Sequence, residues 1–171
     1  MNINLIAICY GIIFPYILQY NNVLVGIDGV NYYAEVHTSY LNSIIHTIFM
    51  PITTYGILLW VPRVFSLNLN HSIRIQQFLY TAYMTHYMLI NFKIGILTSL
   101  YYIFSLYAAN LTYLNFYNQN IGWGGFKIMS VALLIQEIFG HWIGGDNPSR
   151  GEGVPNAILY AMYYSVHHLF V

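Results

Sequence analysis

An all-α, multi-pass transmembrane bundle of about five or six helices is the fold class this sequence predicts, and three observations carry it. Of 171 residues, 58% are hydrophobic and only 6% charged, against about a quarter charged in an ordinary soluble domain. The apolar residues lie in long uncharged runs, several close to the roughly 20 residues a helix needs to cross a bilayer. Polar links rich in Asn, Gly or Pro separate those runs and mark where the helices end.

In chain order, residues 1–27 carry no charge, and Leu5–Leu18 are mostly aliphatic and aromatic, which suits a retained membrane helix. The four residues before it lack the positive charge of a cleavable signal. Pro15 predicts a kink, and Asn21, Asn22, Gly26, Asp28 and Gly29 read as the following loop. A short helical turn over 31–37 is expected to end near His37. Thr38 or Ser39 then caps a second helix from about Leu41 to Trp60.

Arg63 and Arg74 bracket the polar link SLNLNHS, and an uncharged run of 18 residues separates Arg74 from Lys93. A second run, Ile94 to about Ala109, follows with almost no loop, so a tight helical hairpin is expected. Asn110–Gly125, with four Asn and three Gly, reads as the longest connection, outside the membrane or at its interface. Phe126–Ile143 is the next helix. GGDNPSRGEGVPN breaks regular structure, and Ala157–Val171 closes the chain as an apolar segment.

Five basic and five acidic residues leave a formal net charge of zero. Without a basic patch the chain has no electrostatic footprint for nucleic acid. The single Cys9 cannot form an internal disulfide and reads as a small hydrophobe.

Chemistry concentrates in seven histidines. His71 lies in a polar link and reads as solvated, and His86 as a hydrogen-bonded structural residue in an aromatic run. The other five fall in three places: His37 with His46, His141, and His167 with His168. Imidazoles in apolar surroundings suit a borderline transition metal such as iron, zinc or copper; the plainer alternative is that each bonds a nearby carbonyl. In one straight helix His37 and His46, nine positions apart, would point roughly 180° away from each other. The expected break at Thr38–Ser39 removes that obstacle and leaves Asn42 on the face of His46. Glu137 precedes His141 by four residues, where a carboxylate can accept an imidazole N–H or bind metal itself.

The stretch YAEVHTSYLNSIIHTIFMP, with Tyr33, His37, Asn42, His46 and Pro51, resembles the first signature of the membrane-bound 2-hydroxy-fatty-acid dioxygenases of the fungal alpha-oxidation pathway. EIFGHWI followed by VPNAIL resembles the second. The resemblance covers residues 30–171, which places a single membrane-embedded domain at 28–171 and makes 1–27 an additional hydrophobic helix. In that family Gln stands four residues before the Gly-His histidine, where this chain has Glu137, with Gln136 one earlier. Gly145 occupies the place of a family Glu, for which Asp146 or Glu152 can stand in. His168 falls where relatives carry a Glu.

The resemblance implies an Fe(II)-dependent dioxygenase, with Fe(2+) as cofactor, that shortens a 2-hydroxy fatty acid by one carbon using O2. It implies metal ligation by His37, His46, His141 and His168, catalytic roles for Glu137, Asn42 and Tyr33, and an endoplasmic reticulum membrane location. A zinc-dependent membrane lipid hydrolase would use similar ligands, and a non-enzymatic membrane scaffold would need none of them.

Overall fold

The computed structural model describes residues 3–21, 23–118, 120–146 and 154–170. All regular secondary structure among the described residues is helical, with no strand among them. Seven helices follow in order: α1 (Ile3–Tyr20), α2 (Gly26–Ala34), α3 (Tyr40–Val64), α4 (Leu69–Ile90), α5 (Phe92–Phe116), α6 (Asn120–Ile135) and α7 (Val154–His167). A π-helical segment, Gln136–Ile143, prolongs α6 without a break. Among the described residues, four stretches are long and apolar enough to cross a membrane: α1, α3, α5 and the continuous Asn120–Ile143. The third span expected from the sequence, the first arm of the hairpin, is not among them, because Asn70, His71, Arg74, Gln76 and Gln77 crowd the first half of α4.

α3 is the axis on which the bundle is built, packing on α6 most extensively and also on α5, α7 and α4. Two prolines inside it would each free the carbonyl four residues earlier from its helical N–H. Neighbouring helices supply the missing donors. The Tyr101 hydroxyl donates to the Thr47 carbonyl (2.8 Å), four residues before Pro51, and the Gln76 amide donates to the Leu58 carbonyl (2.9 Å), four before Pro62. In a low-dielectric surround such bonds are obligatory, which is how α3 carries two prolines and remains one helix. Gly56 and Gly125 face each other where α3 crosses α6; a Cβ on Gly56 would stand 2.7 Å from the Gly125 carbonyl oxygen. Small residues at such a crossing let two backbones approach closely.

Several expected boundaries move. Gly26, Asp28 and Gly29 belong to α2 rather than to a loop. Asn110–Gly125 is not a long connection: Asn110–Phe116 completes α5, Asn120–Gly125 opens α6, and only a few residues separate them. The polar side chains there turn back on their own helix, as when Asn115 donates to the Leu111 carbonyl (2.9 Å). The tight hairpin is present, with Asn91 ending α4 and capping α5 by accepting from the Ile94 N–H (3.2 Å). α1 packs along α4, while Ile13, Tyr16 and Ile17 remain exposed on its outer side.

Candidate metal centre

The chain breaks where the two histidines of the first stretch require it. α2 ends at Ala34, residues 37–39 are extended or irregular, and α3 begins at Tyr40. Ser39 takes the N-cap position, yet its side chain makes no capping bond. Asp146, about a hundred residues later, supplies the cap. Its carboxylate accepts from the Ser39 N–H (2.9 and 3.2 Å), from the Thr38 hydroxyl (2.6 Å) and from the Asn42 amide (2.8 Å). This one side chain satisfies the first orphan donor of α3 and clips the end of the π segment to it.

His37, His46 and His141 are thereby brought together. Each offers a ligand atom, and these atoms all lie within 4.8 Å of one another. The three residues are 2%, 5% and 1% exposed, and ring centroids are 4.6 Å apart for His37 and His46, and 4.7 Å for His37 and His141. The proposed convergence from three separate segments is thus present in the geometry.

The orientation of His37 is set from behind. Its Nδ1 lies 2.8 Å from the Tyr33 carbonyl oxygen, which can only accept, so Nδ1 carries the proton and Nε2 keeps its lone pair. That Nε2 is buried and has no protein partner. The Tyr33 ring stacks on the His37 ring at 4.0 Å, and the Tyr164 hydroxyl donates to the His37 carbonyl (2.8 Å). Burial pushes the His37 imidazole down to about 4, against the opposing backbone bond to Tyr33, so the ring is neutral and able to donate its lone pair at physiological pH. Both ring nitrogens of His46 are likewise buried without a partner. Asn42 is fully buried one helical turn before His46, its Oδ1 unpartnered. Gly140 makes room for it, since a Cβ there would collide with Asn42 Oδ1.

The π segment decides which residues accompany His141. In an α-helix, Gln136 and His141, five apart, would diverge by about 140°. The i→i+5 bonding of a π-turn reduces that divergence and brings residues at that spacing closer to one face. Gln136, Gly140 and His141 are accordingly the buried residues of the segment, and Glu137 is exposed. The expectation of Glu137 beside the metal is therefore not met by the histidine group, which does not include it. Glu137 stands instead at the rim of the adjoining cavity.

His168 also stands outside the group. α7 ends at His167, and the half-buried ring of His168 is engaged locally, with Nδ1 2.9 Å from the Tyr164 carbonyl and Nε2 3.3 Å from the Thr47 hydroxyl. His71 is exposed and joined to the α4 cap Asn68 (2.8 Å). His86 is buried between Tyr87 and Tyr160, but its Nε2 has no partner, so it is not the hydrogen-bonded residue expected. Glu152 lies outside the described residues.

A cavity of about 530 Å³ opens from the centre and runs along one face of α3, from His46 past Met50, Thr54, Ile57 and Leu58 to Val61. At 1.5 Å per residue this stripe is ~22 Å long. The volume is that of a small-molecule site. His46, His141, Gln136 and Tyr33 share its wall with Thr53, Thr54, Glu137, Tyr80 and Tyr83, and the rest of the lining is apolar. Thr53 and Thr54, at seven and eight residues beyond His46, were legible from spacing as lying on the histidine face, although nothing in the sequence singled them out. No known protein family, curated protein or solved structure matches this chain.

Proposed function

We propose that the chain is a membrane-embedded, Fe(II)-dependent dioxygenase that shortens a 2-hydroxy fatty acid by one carbon, working in the endoplasmic reticulum membrane. The observation that supports it is the convergence of three buried imidazoles, two of which line a largely apolar cavity. Leaving His37 Nε2 and both nitrogens of His46 buried and unpartnered is costly, and a metal or a ligand would remove that cost. Three imidazoles offer ring nitrogens of a kind that iron accepts, so the residues fit the ion. Held by His37, His46 and His141, ferrous iron would supply the redox chemistry between molecular oxygen and the hydroxy acid.

The chain's own residues do the rest. The Tyr33 carbonyl fixes the tautomer of His37, as partners behind metal-ligating histidines do. Asp146 holds Asn42, and through it the approach of α3 to the π segment. The apolar wall takes the acyl chain and keeps water from the reacting end.

A three-histidine set is also the ligand set of catalytic zinc, so a zinc-dependent lipid hydrolase is the second reading. Metal analysis of detergent-purified protein, joined to oxygen uptake with a 2-hydroxy fatty acid, separates the two. Iron with substrate-dependent oxygen consumption and a product one carbon shorter is expected. Zinc without oxygen uptake would favour the hydrolase, and no bound metal with full tolerance of Ala at all three histidines would leave a scaffold.

A further inference from the structure

The cavity beside the imidazoles is open on one side, and the helices around it show where. Its back is α3, while α4, α6 with its π segment and α7 supply most of the remaining lining. α6 packs on α3, α4 on α5 and α1, and α7 on α2, α3 and α5; among the described residues α6 has no extensive contact with either α4 or α7. A seam is left along that side of α6. Leu133 of α6 and Ile158 of α7 both line the cavity and are nevertheless 40% and 62% exposed. Glu137, one turn on from Leu133, is exposed on the same lining. Side chains that reach both the cavity and the surface stand at a mouth.

The medium outside that mouth is set by its depth. Leu133 lies near the middle of the stretch Asn120–Ile143, which is long and apolar enough to cross a membrane. Hydrocarbon, not water, faces such a position. Trp142, exposed five residues after Glu137, fits the level of the membrane interface, where indoles collect. The mouth therefore runs from Glu137 near that level to Leu133 and, one turn further, Met129 in the apolar interior. That is the polarity order of a fatty acid lying in one leaflet, with its head at the interface and its tail inward. At the interface, water and salt screen the Glu137 carboxylate from an acid head. The space inside suits one chain, because it follows a single stripe of α3 from His46 to Val61 and its volume of about 530 Å³ is that of one small molecule.

We propose that this seam is a side entrance: a free fatty acid dissolved in the bilayer passes its single chain between α6 and α7, past Leu133 and Ile158, and reaches the imidazoles without leaving the membrane. The inference rests on the reading of the cavity as a lipid substrate site and adds the route by which the ligand arrives. Leu133 and Ile158 set the width of the entrance and take no part in the chemistry.

The test is photolabelling of the full chain in phosphatidylcholine vesicles with a palmitic acid that carries a diazirine midway along its tail, followed by mass-spectrometric mapping. Leu133, Ile158 and the inner residues Ile57 and Val61 should be labelled, and excess palmitic acid should suppress that labelling several-fold. Phe104, on the outer face of α5, reports bulk lipid, and its labelling should not compete. Leu133→Trp should slow labelling of Ile57 and Val61 several-fold. Leu134→Trp, equally bulky but exposed outside the lining, should leave the rate unchanged. If Leu133→Trp does not fold, Ile158→Trp gives the same reading from the other side of the mouth, and if neither folds the mapping of the unaltered protein decides alone. Two results overturn the side entrance and leave the lipid reading intact: competed labelling at Ile57 and Val61 with Leu133 and Ile158 behaving like Phe104, or inner labelling as fast in Leu133→Trp as in the unaltered protein. Absence of competed labelling at every cavity residue would sink both.

Discussion

Asp146 shows how much one exposed-edge carboxylate can organise. It accepts from Thr38, Ser39 and Asn42, and so joins the start of α3 to the end of the π segment. Burial by itself would raise its carboxyl, but the bonds from Thr38, Asn42 and the backbone at Ser39 outweigh it and hold the group below its ordinary value. A carboxyl depressed in the folded state stabilises the protein above its unfolded value, and that contribution is lost as pH falls through the lowered folded value. Asp146→Asn should therefore lower stability near neutral pH by about 1 kcal/mol, the ordinary worth of an N-cap. Thermal unfolding of both proteins from neutral to acid pH checks it: the gap should narrow as the carboxyl protonates, and a gap independent of pH would contradict the assignment. His37, His46 and His141, which the structure brings together, were legible as candidates because imidazoles stand out in apolar sequence. His168 stood out for the same reason, and only coordinates show its nitrogens facing Tyr164 and Thr47.

At the scale of elements, the break before α3 could be read from Thr38–Ser39, whereas the π segment could not. Periodicity is read on an assumed 3.6 residues per turn, and one wider turn leaves the composition unchanged while rotating everything beyond it. That is why Glu137, four residues before His141, looked like its partner and Gln136 did not. The wider turn accommodates one residue more than an α-helix would between two inward positions. Removing exposed Phe139 should accordingly let the segment relax to an α-helix with Gln136 and His141 four apart and still on one face. Expected is retained metal stoichiometry in the Phe139 deletion, and loss of metal when an Ala is inserted at the same point; metal analysis of both variants distinguishes this from a segment that tolerates no change in length. The α5–α6 region was misread for a different reason. Asparagines signal loops when their side chains compete with the backbone, but Asn115 bonds the carbonyl four residues back and leaves the helix intact.

The molecule as a whole carries its apolar residues outward as well as inward, as a chain in lipid must. Phe104, at the middle of α5, is 73% exposed, and Leu100 and Tyr107 lie exposed beside it. A lysine at the centre of a membrane helix costs about 2.5–3.5 kcal/mol in insertion, so Phe104→Lys should sharply reduce the yield in the membrane fraction while Phe104→Leu should not. Equal yields would place α5 outside the bilayer. The bundle's class was legible because composition alone dictates it; the pairing of α3 with α6 was not, since it depends on Gly56 meeting Gly125 across a long sequence separation. That same separation governs how the protein is born. His37 and His46 emerge early, and His141 follows about a hundred residues later, which at ribosomal speed is a delay of roughly 5–20 s. For that interval the nascent chain holds two histidines that no third can join, so the three-imidazole cluster can assemble only once the π segment has been made.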